Sequence, residues 1–353
     1  MLNVRKPTGA VPYPLVLIEG EPKAGKSWMA AAFSASPRTG QMYWMDIREG
    51  AQDEYGAIPG ADYLVLQHDG TWRQIIEQIR AVREEADRAE AAGEPPVCLT
   101  IDSASGAWAL IKEWVDAKAR RRKSNVARLD KDPDAEVDIT MDLWNLAKAR
   151  WDEMMAPLLT FPGIVVIIAQ GAEVAVVEGG RPVNGRVDWR VDAHKSLPAA
   201  VSVWVRLLRG QAPEIIGARS VHAGIQVSVD KKKQVADLTL ERLIFDILRC
   251  PDRAAARVMP QAPDVSDLRE TIAAATDVAT LTAVYEIAME HELLQVPADD
   301  DGATLLALLS ARRKALADPP ATVTPATAPA PAQDTSAPQD EDAAVDAAQA
   351  AAR

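Results

Sequence analysis

The sequence predicts an α/β fold, a mainly parallel twisted sheet flanked by helices. Two observations carry that reading. Short apolar runs alternate with amphipathic stretches from the N-terminus to about residue 250, the order expected of strand–helix–strand units with right-handed crossovers. The first apolar run, Leu15-Val16-Leu17-Ile18, passes directly into a glycine-rich turn, and a later run ends in an acid, Asp102.

The elements follow in order. After the turn, Trp28 to Ala35 continues as a helix. Met42-Tyr43-Trp44-Met45 is a second strand ending in Asp46, and Tyr63-Leu64-Val65-Leu66 is a third. Thr71 to Ala92 has the periodicity of a long amphipathic helix, stopped by Gly93 and Pro95. Val97 to Ile101 is a fourth strand, closed by Asp102-Ser103. A helix from about Gly106 to Arg122, a charged loop and a helix from about Met141 to Leu159 come next. Gly163 to Ala169 is a β-branched strand ending in Gln170, and Val201–Leu208 and Ile225–Val229 read as further strands.

Composition divides the chain. Residues 1–250 form the α/β core, 251–263 a Pro-, Ala- and charge-rich linker, and 264–317 a small helical module with periodic leucines such as Leu268, Leu281 and Leu305. Residues 318–353, rich in Pro, Ala, Thr and acids, hold too little apolar surface to offset chain entropy and are expected to be disordered. Across 353 residues the formal charge is −12; six acids and one base place −5 of it in 318–353, which leaves −7 for the rest. That balance argues against a protein that coats nucleic acid with its whole surface, although local basic patches remain compatible with it. Two distant cysteines, Cys98 and Cys250, support neither a disulfide framework nor a zinc site. With no apolar run long enough to span a bilayer and no signal core behind the N-terminus, the expectation is a cytoplasmic protein, in the host cytoplasm if the chain is viral, with no membrane partner.

Gly20-Glu21-Pro22-Lys23-Ala24-Gly25-Lys26-Ser27 matches the phosphate-binding pattern G-x-x-x-x-G-K-[ST] at every position. The glycines let the backbone curl so that successive amides point at phosphate oxygens. Lys26 supplies a mobile charge for the β and γ phosphates, the Ser27 hydroxyl is a ligand for Mg²⁺, and the following helix directs its positive end at the same anion. Asp102, at the carboxyl end of a buried strand, is expected to hold the water shell of that Mg²⁺; the alternative role is capping the helix that starts near Ser105. An N-K-x-D guanine tetrad is missing, so ATP is expected rather than GTP.

The order of these motifs resembles the RecA-like P-loop ATPases, and more narrowly the bacteriophage members linked to single-strand annealing and recombination. The resemblance covers about residues 14–250 and is anchored by the loop, Asp102-Ser103 and Gln170. It implies a RecA-like core, ATP hydrolysis with Mg²⁺, and binding to single-stranded DNA in a ring or filament of identical subunits. By the same resemblance Glu49 is the carboxylate that orients the attacking water, one residue out of register with the usual D-x-E spacing, with Asp46 as substitute. Gln170 is implied as the γ-phosphate sensor.

Two DNA-binding regions are implied. The first is the basic cluster Lys118, Arg120, Arg121, Arg122 and Lys123, continued by Arg128 and Lys131; the competing role is an exposed helix end. The second is Gly171–Lys195, with Arg181, Arg186, Trp189, Arg190, His194 and Lys195, expected as a mobile Gly-rich loop in which an aromatic and cations meet a single strand. Its rival is a plain β-hairpin across Gly179-Gly180.

Against that resemblance, the chain is expected to lack the long N-terminal oligomerisation segment of full recombinases. The basic pair that acts across a subunit boundary is also unassigned: Lys231–Lys233 are candidates, with Arg206 and Arg209 behind them. The helical module is expected to dock another recombination or replication protein or to make oligomer contacts; the alternative is that it only aids solubility or caps the core. The alternatives to a DNA-stimulated ATPase are a hexameric helicase or other DNA motor on the same core, and a nucleotide switch without DNA.

Overall fold

A computed structural model describes residues 2, 4–178, 181–223, 233–259, 265–298 and 302–317. The order of elements is β1 (Leu15–Gly20), α1 (Lys26–Phe33), β2 (Met42–Asp46), α2 (Gln52–Tyr55), β3 (Tyr63–Val65), α3 (Trp72–Ala92) and β4 (Cys98–Asp102). Next come α4 (Ala104–Arg120), α5 (Lys123–Leu129), α6 (Met141–Leu159), β5 (Ile164–Glu178), β6 (Arg181–Val191), α7 (Leu197–Ala200), β7 (Val203–Leu207), β8 (Glu214–Ala218) and β9 (Lys233–Gln234). A π-helical turn, Arg242–Ile247, follows, and then α8 (Val265–Ala274), α9 (Val278–Glu290) and α10 (Leu305–Ala317).

The fold class is the expected one, an α/β sheet with mostly parallel strands and flanking helices. The strand order is β3-β2-β4-β5-β1-β7-β8-β9. Pairing is parallel from β3 across to β7, and β8 and β9 close one edge in antiparallel sense. Both faces are covered. On one, Leu15 and Leu17 of β1 pack with α3, α4 and α6 around Trp151; on the other, Val16 and Ile18 pack with α1, Trp44 and the π-helical turn. Period-2 alternation therefore sends apolar side chains to both sides, which is why β1 reads as a continuous apolar run.

Register aligns the strand ends. Asp46 pairs with Asp102, Asp102 with Ile168, and Gly20 with Gln170. In a parallel sheet the carboxyl ends of these strands share one edge, the edge where such folds place ligands.

Several boundaries differ from the sequence expectation. The helix expected from Trp28 begins at Lys26, inside the motif. Part of the charged loop is helical, as α5, because Asn125 is buried and bonds the carbonyl oxygens of Ala119 and Asp138, which fastens that segment to the core. The strand expected to stop at Ala169 continues to Glu178 and turns back as β6. Gly171–Val191 is therefore a β-hairpin and not a free loop, because the cross-strand ladder from Gly171↔Val191 to Glu178↔Arg181 satisfies its backbone. The strand expected at Ile225–Val229 lies outside the described residues, as do Lys231, Lys232 and the stretch 318–353.

The chain divides into two units, Met1–Met259 and Pro260–Arg353. The first part of the expected linker runs against the first unit: Arg257 bonds the Ala200 carbonyl and Ser202, and the Tyr13 amide bonds the Ala255 carbonyl. In the second unit α8, α9 and α10 enclose a small core of Leu268, Ile272, Leu281, Val284, Leu305 and Leu309.

One glycine fixes how closely the loop's strand approaches its neighbour. Gly20 has φ +146°, and a Cβ there would lie 1.9 Å from the Leu207 carbonyl oxygen. Overpacking and backbone strain act together at this position, so Gly20→Ala should destabilise the first unit by about 3 kcal/mol. A urea midpoint equal to wild type would contradict the register at this edge.

Candidate functional site at the carboxyl edge of the sheet

β1 delivers the chain to the edge, and the loop that follows is built from its own backbone. Lys23 (φ 64°) and Gly25 (φ 91°) adopt left-handed conformations, which curl Gly20–Gly25 before α1 begins. No side chain caps α1, so its first amides are open to an anion.

Lys26 is buried, with 5% of its surface exposed. Its Nζ donates to the carbonyl oxygens of Gly20 (3.1 Å) and Glu21 (2.7 Å) and to Gln170 Oε1 (3.1 Å). Burial pulls its pKa down, while Asp102, Glu49, Glu19 and Glu21 pull it back up. The ammonium is thus surrounded by carboxylates, and its three hydrogen bonds all go to uncharged oxygens.

Asp102 is 2% exposed and accepts a hydrogen bond from Ser27, the next residue of the motif. Burial raises its pKa to about 7; Glu49 and Asp46 push the same way, and Ser27 and Lys26 oppose them. Ser103, and not Asp102, caps α4, its hydroxyl accepting from the Gly106 amide at 3.0 Å. This leaves the Asp102 carboxylate facing the loop. The pair Ser27 and Asp102 fits Mg²⁺, a hard cation that keeps water and phosphate among its ligands. Among the described residues no group of three or more His, Cys, Asp or Glu side chains could hold a metal ion.

Glu49 reaches the same edge. β2 ends at Asp46, the Ile47 amide bonds the Asp102 carbonyl, and Arg48 (φ 71°) turns the chain back. Glu49 Oε1 then accepts from Ser103 Oγ at 2.6 Å. That turn absorbs the one-residue offset in spacing. Arg48 is anchored outward by a bidentate pair with Glu113, both contacts 2.6 Å. Asp46 is occupied differently: its two oxygens accept from the amides of Glu49 (3.1 Å) and Gly50 (2.8 Å), so it braces the turn that carries Glu49. Gln170 is held through its backbone N–H, which donates to Ser105 Oγ at 2.8 Å.

The structure thus brings Lys26, Ser27, Asp102, Glu49 and Gln170 together. The remaining loop residues, Glu21 to Gly25, line the turn, and Glu21 is paired with Arg209 at 3.3 Å. The first basic cluster is largely engaged within the chain: Arg120 pairs with Asp116 (2.7 Å), Arg122 with Asp142 and Thr140, Arg128 with the Glu136 carbonyl, and Lys118 lies over Trp114. Arg121 and Lys123 are exposed. Arg186, Trp189 and Arg190 lie on β6, and Lys195 just beyond it.

Glu19 went unremarked in the sequence. It is fully buried, and it accepts from Trp189 Nε1 (2.7 Å), Trp204 Nε1 (2.9 Å) and Arg206 Nε (2.6 Å). Arg206 also covers the Trp189 ring at 4.3 Å. This fixes Arg206, proposed above as a residue reaching across subunits, inside its own chain. The available signal was an acid in a fully apolar strand, since a buried carboxylate needs donors. Gly171 is the counterpart: a Cβ there would lie 2.3 Å from Glu19 Oε2.

No protein-family model matches the chain, and no curated protein does. Among solved structures it is similar to a prototypical ATPase from the type III secretion system of pathogenic bacteria, at 12% identity over 86% of this chain and 81% of that one. The TM-score is 0.35, too low to carry weight. Sheet order and loop geometry therefore describe the class directly: an α/β protein whose first strand and first helix are joined by a loop that carries the phosphate-binding sequence pattern.

The raised pKa of Asp102 sets a direction for pH. Unfolded, the group ionises near its ordinary value of 3.8; folded, near 7. Between those values folding takes up a proton, so this group's contribution to stability is lost as pH rises toward 7. Without metal, Asp102→Asn should have a Tm roughly 5 °C above wild type at pH 8, with the gap closing by pH 4. A constant or inverted gap in thermal melts would contradict the burial assigned to Asp102.

Proposed function

We propose that the protein is a Mg²⁺-dependent ATPase of RecA-like type, whose turnover is coupled to single-stranded DNA in annealing or recombination. The observation that carries the ATPase reading is the convergence of Lys26, Ser27, Asp102, Glu49 and Gln170 at one edge, delivered by the ends of β1, β2, β4 and β5.

Each residue has a defined task. The loop amides and the start of α1 bind phosphate oxygens. Lys26 exchanges its bonds with the Gly20 and Glu21 carbonyls for bonds to phosphate, a stronger charge-assisted contact. Ser27 and Asp102 would hold Mg²⁺, which supplies charge neutralisation for the transferred phosphoryl group. Glu49, hydrogen-bonded to Ser103, is placed to orient water and accept its proton. Gln170 bonds Lys26 now and can instead donate its amide to phosphate, so its position follows the nucleotide state.

The coupling to DNA is supported by connectivity. The β5–β6 hairpin starts at the residue after Gln170, and its returning strand carries Arg186, Trp189 and Arg190. The order of motifs supports annealing or recombination by a homo-oligomer.

Turnover assays test this directly. Lys26→Ala should lose nucleotide binding and turnover. Glu49→Gln should keep ATP binding and lose about 10²–10⁴-fold in kcat, the range for removing a positioned base; Asp46→Asn should lose less. Single-stranded DNA should raise wild-type kcat at low salt, and the effect should fade as salt rises. ATP turnover unchanged in Lys26→Ala would overturn the site. Turnover indifferent to DNA in well-folded protein would remove the DNA part alone.

A further inference from the structure

Away from the phosphate loop, a cleft of about 440 Å³ opens between α4, α6, the returning strand of the hairpin and β7. Its volume falls in the range of ligand sites, roughly 300–1,000 Å³. Four tryptophans line it, Trp108, Trp144, Trp189 and Trp204, together with the cations Lys148, Arg190 and Lys195 and the imidazole of His194. No carboxylate is among the lining residues, although Asp152 pairs with Lys148 from α6.

The rings are held in place before any ligand arrives. Trp189 and Trp204 are fixed through their indole nitrogens by Glu19. Trp108 stands edge-on to Trp151 (5.9 Å) and to His194 (5.1 Å). Trp144 is the open member, 36% exposed. Fixed aromatic faces suit flat, unpaired bases, since stacking on them loses little side-chain freedom, and neighbouring cations suit the phosphates that link those bases. A duplex hides its base faces, so it cannot use the tryptophans.

We infer that this cleft is a stacking site for unpaired nucleotides of a single-stranded nucleic acid. The inference rests on the DNA-coupled reading above and assigns that partner a place. With Lys148 already paired to Asp152, the cations Arg190 and Lys195 in the lining favour a polyanion over an apolar or proline-rich peptide, which would find aromatic faces there but no use for these two side chains.

The test uses the full chain and labelled oligothymidine, followed by fluorescence anisotropy and by quenching of tryptophan emission. Wild type should bind the single strand with quenching, and a duplex of equal length at least about tenfold more weakly. Trp144→Ala should weaken binding about tenfold, within the range for losing one base–aromatic stack, and Trp144→Phe should restore most of it. The double substitution Arg190→Ala with Lys195→Ala should weaken binding and flatten its salt dependence. Thermal melts matching wild type exclude misfolding as the cause. An oligouridine arm reports whether DNA is preferred over RNA within the same chemistry. If wild type binds and these variants bind equally well, the cleft assignment falls while the DNA reading stands. If wild type binds no single strand at low salt, both fall and the ATPase reading is untouched. Equal affinity for duplex, or quenching by a peptide of residues 319–332 in place of the oligonucleotide, would also overturn the assignment.

Discussion

A lysine ammonium buried at the end of a parallel sheet must be surrounded by oxygens, and that requirement organises this edge of the molecule. Lys26 meets it with the carbonyls of Gly20 and Glu21 and the side-chain oxygen of Gln170, and of these Gly20 and Gln170 are strand positions that share a register. If β1 and β5 slipped by one residue, Gln170 would face the opposite side of the sheet and Lys26 would lose a partner. The close pairing of Gly20 with β7 and the buried Asp102 opposite Ser27 depend on the same alignment. The groups are also arranged so that charge is unbalanced. Asp102 and Glu49 share the one cation Lys26, since Glu19 is matched by Arg206, and burial, with Glu49 nearby, keeps a proton on Asp102 up to about pH 7. Added positive charge beside Asp102 would favour its ionised form.

Glu19 links this edge to the hairpin. It stands one residue before Gly20, and its carboxylate collects donors from β6 and β7. The hairpin is therefore tied to β1 at two points, through the pairing of Gln170 with Gly20 at the start of its outgoing half and through Trp189 to Glu19 on its return. Buried charge pairs of this kind often contribute more to a unique geometry than to net stability. Here the geometry held in place includes the faces of two tryptophans that line the neighbouring cleft.

The motif residues were legible because their chemistry demands a local pattern. Gly20–Ser27 specifies a loop by spacing alone, and α3 and α6 announce themselves by periodicity and, for α3, by the Thr71 cap and the Gly93 stop. Position in the sequence leads to Glu49 as the residue at this edge, and the left-handed Arg48 that brings it there leaves no pattern in one sequence. The hairpin was hidden because Gly179-Gly180 serves a loop or a turn equally well; the ladder that decides the matter is a long-range property. The basic cluster at the end of α4 divides in the same way: Asp116, which holds Arg120, stands four residues before it and is a local pair, whereas Asp142, which holds Arg122, lies twenty residues on in α6. The tryptophan cleft gathers residues from Trp108 to Trp204, a separation over which no sequence pattern extends.

The most direct measurement is a crystal structure with Mg²⁺ and a non-hydrolysable ATP analogue. The terminal phosphates should lie across the start of α1, with Lys26 Nζ moved from the Gly20 and Glu21 carbonyls onto them and a cation between Ser27 and Asp102. A nucleotide bound elsewhere, or bound at the loop with Lys26 still on its carbonyls and no cation near Asp102, would contradict the assignment of this edge.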